Sequence, residues 1–191
     1  MPDVHLVDYN ALMPEELCNY LEHKVYGGIR QLLQTCHHYN GLLHTMEEDV
    51  QSDLLSLVFM RLQDETQQMM RNDELIIFPL IRNDKGARPC PARKLPIEMM
   101  RQMHQKILQL LEKIRMLSNN YIVKPGWSSS YKIYCNELFC LEQQLQQAVY
   151  TKENILLDKV KDNFNGKCSG DCKKDRATAI AVEKDGKNPA V

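Results

Sequence analysis

The sequence has almost no net charge: 24 basic residues stand against 25 acidic ones, a formal charge of −1 over 191 residues. A chain without an excess of Lys and Arg lacks the electrostatic footprint of a nucleic-acid-binding domain or of a protein held on anionic lipid. No apolar run is long enough to cross a bilayer. The opening residues, MPDVHLVDYN, lack the basic and apolar regions of a secretory signal. The expected location is therefore the cytoplasm, with neither nucleic acid nor membrane as a partner. No segment alternates like a strand, and no simple repeat recurs. A Gly-rich phosphate loop, a nucleophile elbow and a Ser/His/Asp arrangement are all missing from the sequence. Catalytic turnover is not decided by these residues, with a non-enzymatic role the nearer of the two expectations.

What is present is ordinary for a globular domain with a real core: 43% hydrophobic and 26% charged residues. Seven cysteines, Cys18, Cys36, Cys90, Cys135, Cys140, Cys168 and Cys172, make an odd set without a secretory signal, so reduced thiols are expected. Cys18, Cys36 and Cys135 lie in helical patterns and read as small core residues. Cys168 and Cys172 lie between lysines in Lys167-Cys168-Ser169-Gly170-Asp171-Cys172-Lys173-Lys174, where positive charge favours thiolate. That pair is short of the four ligands a structural zinc takes. A thiol-redox module acting through it is a third, minor reading of the chain.

Four long amphipathic patterns fill most of the sequence. The first starts near Pro14, a residue suited to a first helical position, with the stripe Cys18, Leu21, Val25, Ile29, Leu32, Cys36, Tyr39, Leu43. Gly27 and Gly28 interrupt it and either bend it or admit a close neighbour. The second runs from about Asp49 to Arg82, after a short polar link that makes the two antiparallel neighbours. The third starts at Pro96 and ends near Asn119; a serine among Ser128, Ser129 and Ser130 caps the fourth, which reaches about Asn163. The expected fold is all-α, an antiparallel up-down-up-down four-helix bundle over 14–163. A short extension precedes it (1–13), and a polar, disordered tail follows it (164–191).

Three ionisable residues sit on these stripes. Asp73 follows Leu62, Thr66 and Met69; His104 lies between Met100 and Ile107; Glu153 lies between Val149 and Leu156. A carboxylate aimed at a core must be paired, protonated or bound to metal. Two carboxylates and an imidazole converging in one bundle make a donor set for iron, manganese or zinc. Each residue taken alone also fits a hydrogen-bonded or helix-end position. The clustered methionines Met69, Met70, Met99, Met100 and Met103 read as core filler rather than a copper site.

Met69-Met70-Arg71-Asn72-Asp73-Glu74-Leu75-Ile76-Ile77-Phe78-Pro79 resembles the His-x-x-x-Glu-Glu-x-x-Leu-Phe-Pro segment of hemerythrin-like di-iron proteins, most nearly the Repair of Iron Centres family. Glu153-Asn154-Ile155-Leu156 is similar to that family's Glu-Asn-x-Leu, and Met103-His104-Gln105 to its Glu-His-Glu. Asn120-Tyr121 with Pro125 is similar to its Asn-Tyr-x-x-Pro link. Tyr26-Gly27-Gly28-Ile29-Arg30 is similar to Tyr-His-x-x-Leu-Arg displaced by one residue. The resemblance spans about residues 14–160. It implies a role in nitrosative or oxidative stress and iron–sulfur cluster repair, with iron–sulfur proteins as partners. One or two non-haem irons would be held by Asp73, His104 and Glu153, with Tyr26 as a possible fourth ligand. The departures carry equal weight. Tyr26, Met69 and Val149 stand where histidines are expected, and Asp73 stands for a Glu. Valine cannot ligate, and a thioether is a poor ligand for hard iron. The alternative is a metal-free pseudo-hemerythrin that serves as a binding or regulatory bundle. Neither the oligomeric state nor the number of metals follows from these residues.

Overall fold

A computed structural model describes residues 7–44, 50–83 and 94–160. The tail with Cys168 and Cys172, the link 45–49, and the segment 84–93 with Cys90 lie outside the described residues. The described chain is helical without strands, and four long helices pack as a bundle. Helix α1 spans residues 14–44, α2 residues 50–82, α3 Lys94–Leu117, and α4 residues 129–160.

Local sequence sets the helix ends. Pro14 opens α1, and the Glu16 carboxylate accepts the Met13 backbone N–H at 2.9 Å, tying off the free amide that precedes the first turn. Ser128 caps α4 by accepting the Tyr131 N–H at 3.2 Å. Helix α3 begins at Lys94, so Pro96 falls inside its first turn, where no intrahelical N–H is lost. It ends at Leu117, ahead of Asn119, Asn120 and Tyr121, whose φ angles of 50°, 56° and 60° are left-handed. The two asparagines tolerate that region; Tyr121 adopts it at a steric cost.

Three of the four helices are not regular. A π turn occupies Leu21–Val25 in α1, another Asp73–Ile77 in α2, and a third Thr151–Leu156 in α4. Each widens one turn and shifts which residues next to it face the core. In α1 the buried sequence therefore runs Leu21, Tyr26, Ile29, Leu33, Cys36, rather than through Val25, Leu32 and Tyr39. In α2 it runs Asp73, Ile77, Phe78, Ile81, while Ile76 is 43% exposed. The displacement brings Tyr26 into the core.

Contacts between helices follow a consistent order. Along α1 and α2, Glu22 meets Arg82, Tyr26 meets Asp73, His37 meets Gln63 and Asn40 meets Ser56. Between α1 and α4, a Cβ at Gly28 would stand 2.9 Å from the Gln144 Oε1, and Asn40 accepts from Tyr134 at 2.9 Å. Helices α3 and α4 meet through His104–Glu153 and Arg115–Glu142. The core between them holds Leu17, Phe59, Leu62, Ile107, Ile114 and Leu141, each with almost no exposure.

Candidate functional site

The three π turns bear on one place. Tyr26 follows the turn in α1, Asp73 opens the turn in α2, and Lys152 lies in the turn in α4. π turns are uncommon and concentrate where a helix must aim a side chain out of register. Here they aim a phenol, a carboxylate and an ammonium at one another. The Tyr26 hydroxyl donates a short hydrogen bond to Asp73 Oδ2. Lys152 Nζ donates to the same oxygen at 2.7 Å. The ammonium also stands 5.7 Å from the centroid of the Tyr26 ring, within reach of a cation–π attraction. All three residues are fully enclosed: Tyr26 0%, Asp73 1% and Lys152 0% exposed. Phe78 stacks on Tyr26 at 5.9 Å between centroids, and Arg82 covers the Phe78 ring on its way to Glu22.

Burial acts against every charge in this cluster. It pushes the Lys152 ammonium below its ordinary range, while the Asp73 carboxylate pulls it back up. Burial, Asp73 and the shared hydrogen bond raise the Tyr26 phenol well above its ordinary value, so it is a neutral donor. A buried carboxylate next to a buried ammonium is electrically balanced, and such a pair persists only because removing either partner is worse. Asp73 Oδ1 remains without a protein partner.

His104, on α3, forms the second half of the site. Its Nδ1 lies 2.7 Å from Glu153 Oε1, and Nε2 is buried without a protein partner. Burial pushes the imidazole down to about 2, with the Lys152 and Arg101 charges adding to the effect. The ring is therefore neutral, its Nδ1–H donates to the Glu153 carboxylate, and Nε2 keeps its lone pair. Glu153 itself keeps 35% of its side chain exposed.

A buried neutral histidine ties stability to pH. The folded value of about 2 lies below the ordinary 6.5, so the unfolded chain binds the extra proton between those limits. The contribution is complete above 6.5 and is lost as pH falls through that window. Between pH 7 and pH 5 it amounts to about 2 kcal/mol. Urea unfolding at the two pH values should show this loss in the parent chain and not in His104→Gln. Equal pH dependence in both would mean that His104 protonates freely in the folded state.

The four residues singled out by sequence thus separate into two contacts. Tyr26 is joined to Asp73, and His104 to Glu153. Met69 is buried and lines a cavity with Asp73, and Val149 is buried as well. Among the described residues, no three His, Cys, Asp or Glu side chains form a group that could hold a metal ion. The residue that sequence reasoning passed over is Lys152. Leu145, Val149, Lys152 and Leu156 make as regular a 4-3-4 spacing as the same series through Glu153. That spacing was the available signal, obscured because lysine is so seldom enclosed.

This donor set does not fit a divalent or trivalent metal. The Asp73 oxygen engaged by Tyr26 is already neutralised by an ammonium at 2.7 Å. A metal beside that ammonium would meet like-charge repulsion in a medium that screens poorly. Met69 and Val149, each four residues before Asp73 or Glu153, bring no imidazole to the site.

No family model matches the chain. Similarity to curated proteins is partial: the iron-sulfur cluster repair protein YtfE of Escherichia coli O81 (strain ED1a) is 28% identical over 95 residues, covering 50% of this chain and 41% of that protein. Proteins of the same name from Escherichia coli O1:K1 / APEC and from Escherichia fergusonii are 27% identical over the same length. The matched part of the chain thus spans about two fifths of the length of these relatives. Similarity at this level agrees with a distant, divergent relation to iron–sulfur cluster repair proteins.

Proposed function

We propose that this chain is a hemerythrin-like, up-down-up-down bundle that works without a metal at the family's ligand positions. It would act as a binding or regulatory module in a repair-related role. The observation that carries this reading is the enclosed Lys152–Asp73 pair, 2.7 Å apart. An internal cation takes over the charge-balancing task that a metal performs elsewhere, and the carboxylate frame stays closed. The helix order is supported by contacts that climb one helix as they descend its neighbour, as in Glu22–Arg82 followed by Asn40–Ser56. The repair setting is supported by the similarity to proteins named for iron–sulfur cluster repair. On this reading the partners are iron–sulfur proteins of the cytoplasm, met through protein contact rather than through bound iron. No helix among the described residues is long and apolar enough to cross a membrane.

A second reading keeps non-haem iron on Asp73, His104, Glu153 and Tyr26, and one observation favours it. A histidine whose Nδ1–H is held by a carboxylate while Nε2 stays bare is arranged as metal-ligating histidines are.

Elemental analysis separates the two. Protein produced in iron-rich medium should contain no more iron than a control protein. Met69→His with Val149→His should remain low, because Lys152 still engages Asp73. Adding Lys152→Ala to that pair should raise the iron content. One or two irons per chain in the parent would defeat the metal-free reading in favour of the second.

A further inference from the structure

Helices α1 and α2 hold between them an open groove of about 290 Å³. Leu33 and Met70, each 2% exposed, form its floor. Arg30 and Gln34 of α1 and Gln63, Gln67 and Arg71 of α2 form its rim. The rim is built from donors. Arg30 keeps 46% of its side chain exposed and pairs through Nη2 with Glu74. A guanidinium carries five N–H donors, so that one contact leaves others for a ligand. Arg71 is exposed and makes no ion pair among the described residues. Gln63 Oε1 lies 3.1 Å from His37 Nδ1. An amide oxygen only accepts, so His37 donates and the Gln63 amide nitrogen keeps its own donors.

No carboxylate stands in this lining among the described residues. A chain of net charge −1 thus places two guanidiniums and three amides on one groove. Guanidinium forks match phosphoryl oxygens in pairs, and two of them suit a dianion better than a single negative charge. A phosphate monoester supplies that charge near neutral pH, with three acceptor oxygens. The floor sets the rest of the ligand. Leu33 and Met70 offer an apolar surface, and a thioether makes favourable contacts with aromatic rings. The volume lies at the small end of ligand sites, which leaves room for a body of about one ring. We propose that this groove binds a small aryl phosphate monoester, with its phosphoryl oxygens between Arg30 and Arg71 and its ring over Leu33 and Met70. The glutamine amides donate to the remaining oxygens. Binding makes and breaks no covalent bond. The groove is separate from the Lys152–Asp73 pair, and the inference stands or falls independently of the function proposed above.

The test is a nuclear magnetic resonance titration of the ¹⁵N-labelled full chain with phenyl phosphate at low ionic strength. The side-chain amides of Gln34, Gln63 and Gln67 should shift together and saturate at one ligand per chain. Arg71→Met, an exposed position whose change spares the core, should weaken binding by about tenfold or more, the loss expected for hydrogen bonds to a charged group. Arg71→Lys keeps the charge without the fork and should recover only part of that loss. Lys113→Met, on the exposed side of α3, should leave binding unchanged. Inorganic phosphate, which lacks the ring, should bind more weakly than phenyl phosphate. Tighter binding of a short phosphotyrosine peptide would place the source of the ligand in a protein partner; tighter binding of phenyl phosphate would place it in a free ester. Unmoved glutamine amides, equal binding by the parent and Arg71→Met, or equal affinity for phenyl phosphate and inorganic phosphate would overturn the proposal.

Discussion

Lys152→Met should destabilise the folded chain by about 3–5 kcal/mol, the usual cost of leaving one member of a buried ion pair uncompensated. Methionine keeps most of the lysine stem and removes only the charge, so the loss reports on electrostatics rather than on a cavity. Asp73 would then remain enclosed with Tyr26 as its sole hydrogen-bond donor. Asp73→Leu should be costly for the mirrored reason, an ammonium stranded in the core. The double variant Asp73→Leu/Lys152→Met should recover most of the loss, because replacing a whole buried pair by apolar groups is often neutral or stabilising. Urea unfolding of the four proteins gives the coupling directly. A single-variant loss below about 1 kcal/mol would mean that the pair is solvated and has no structural role.

Phe78→Ala is the second large effect, expected at about 3–5 kcal/mol. Phe78 is fully enclosed and sits at the junction of three interactions: it stacks on Tyr26, lies beneath Arg82, and begins the regular helix after the π turn of α2. Truncation leaves a cavity against the Tyr26 ring. The phenol then loses the wall that holds its hydroxyl on Asp73. Phe78→Leu fills much of the space and should lose clearly less. Thermal or urea unfolding separates the two; equal losses would place the effect in the aromatic stack rather than in the volume.

Much of the bundle was legible because its signals are periodic. The four helices appear where Pro14, Ser128 and the apolar stripes put them, and Asp73 and His104 are as deeply enclosed as their spacing requires. The site was harder to read for a physical reason. Stripe reading assumes 3.6 residues per turn, and the three helices that build the centre each break that assumption within one turn of it. The displaced register exchanges Val25 for Tyr26 and Ile76 for Ile77 on the buried face, and it encloses Lys152 while leaving Glu153 half-exposed. A sequence resemblance that aligned Tyr26 one residue late carried a trace of this, since a π turn accommodates one extra residue. Pairing was not legible at all. Spacing places Asp73, His104 and Glu153 on inward faces, but only the packed helices decide that Asp73 meets Lys152 while His104 meets Glu153.

The central claim is that an internal ammonium, not a metal, balances the Asp73 carboxylate. Crystals of the full chain grown with ferrous iron under anaerobic conditions, with anomalous diffraction recorded at the iron edge, test it most directly. The expected result is Lys152 Nζ within hydrogen-bond distance of Asp73, as in the 2.7 Å contact here, and no anomalous peak among the helices. A peak bonded to Asp73 and His104 Nε2, with Lys152 turned away, would contradict it.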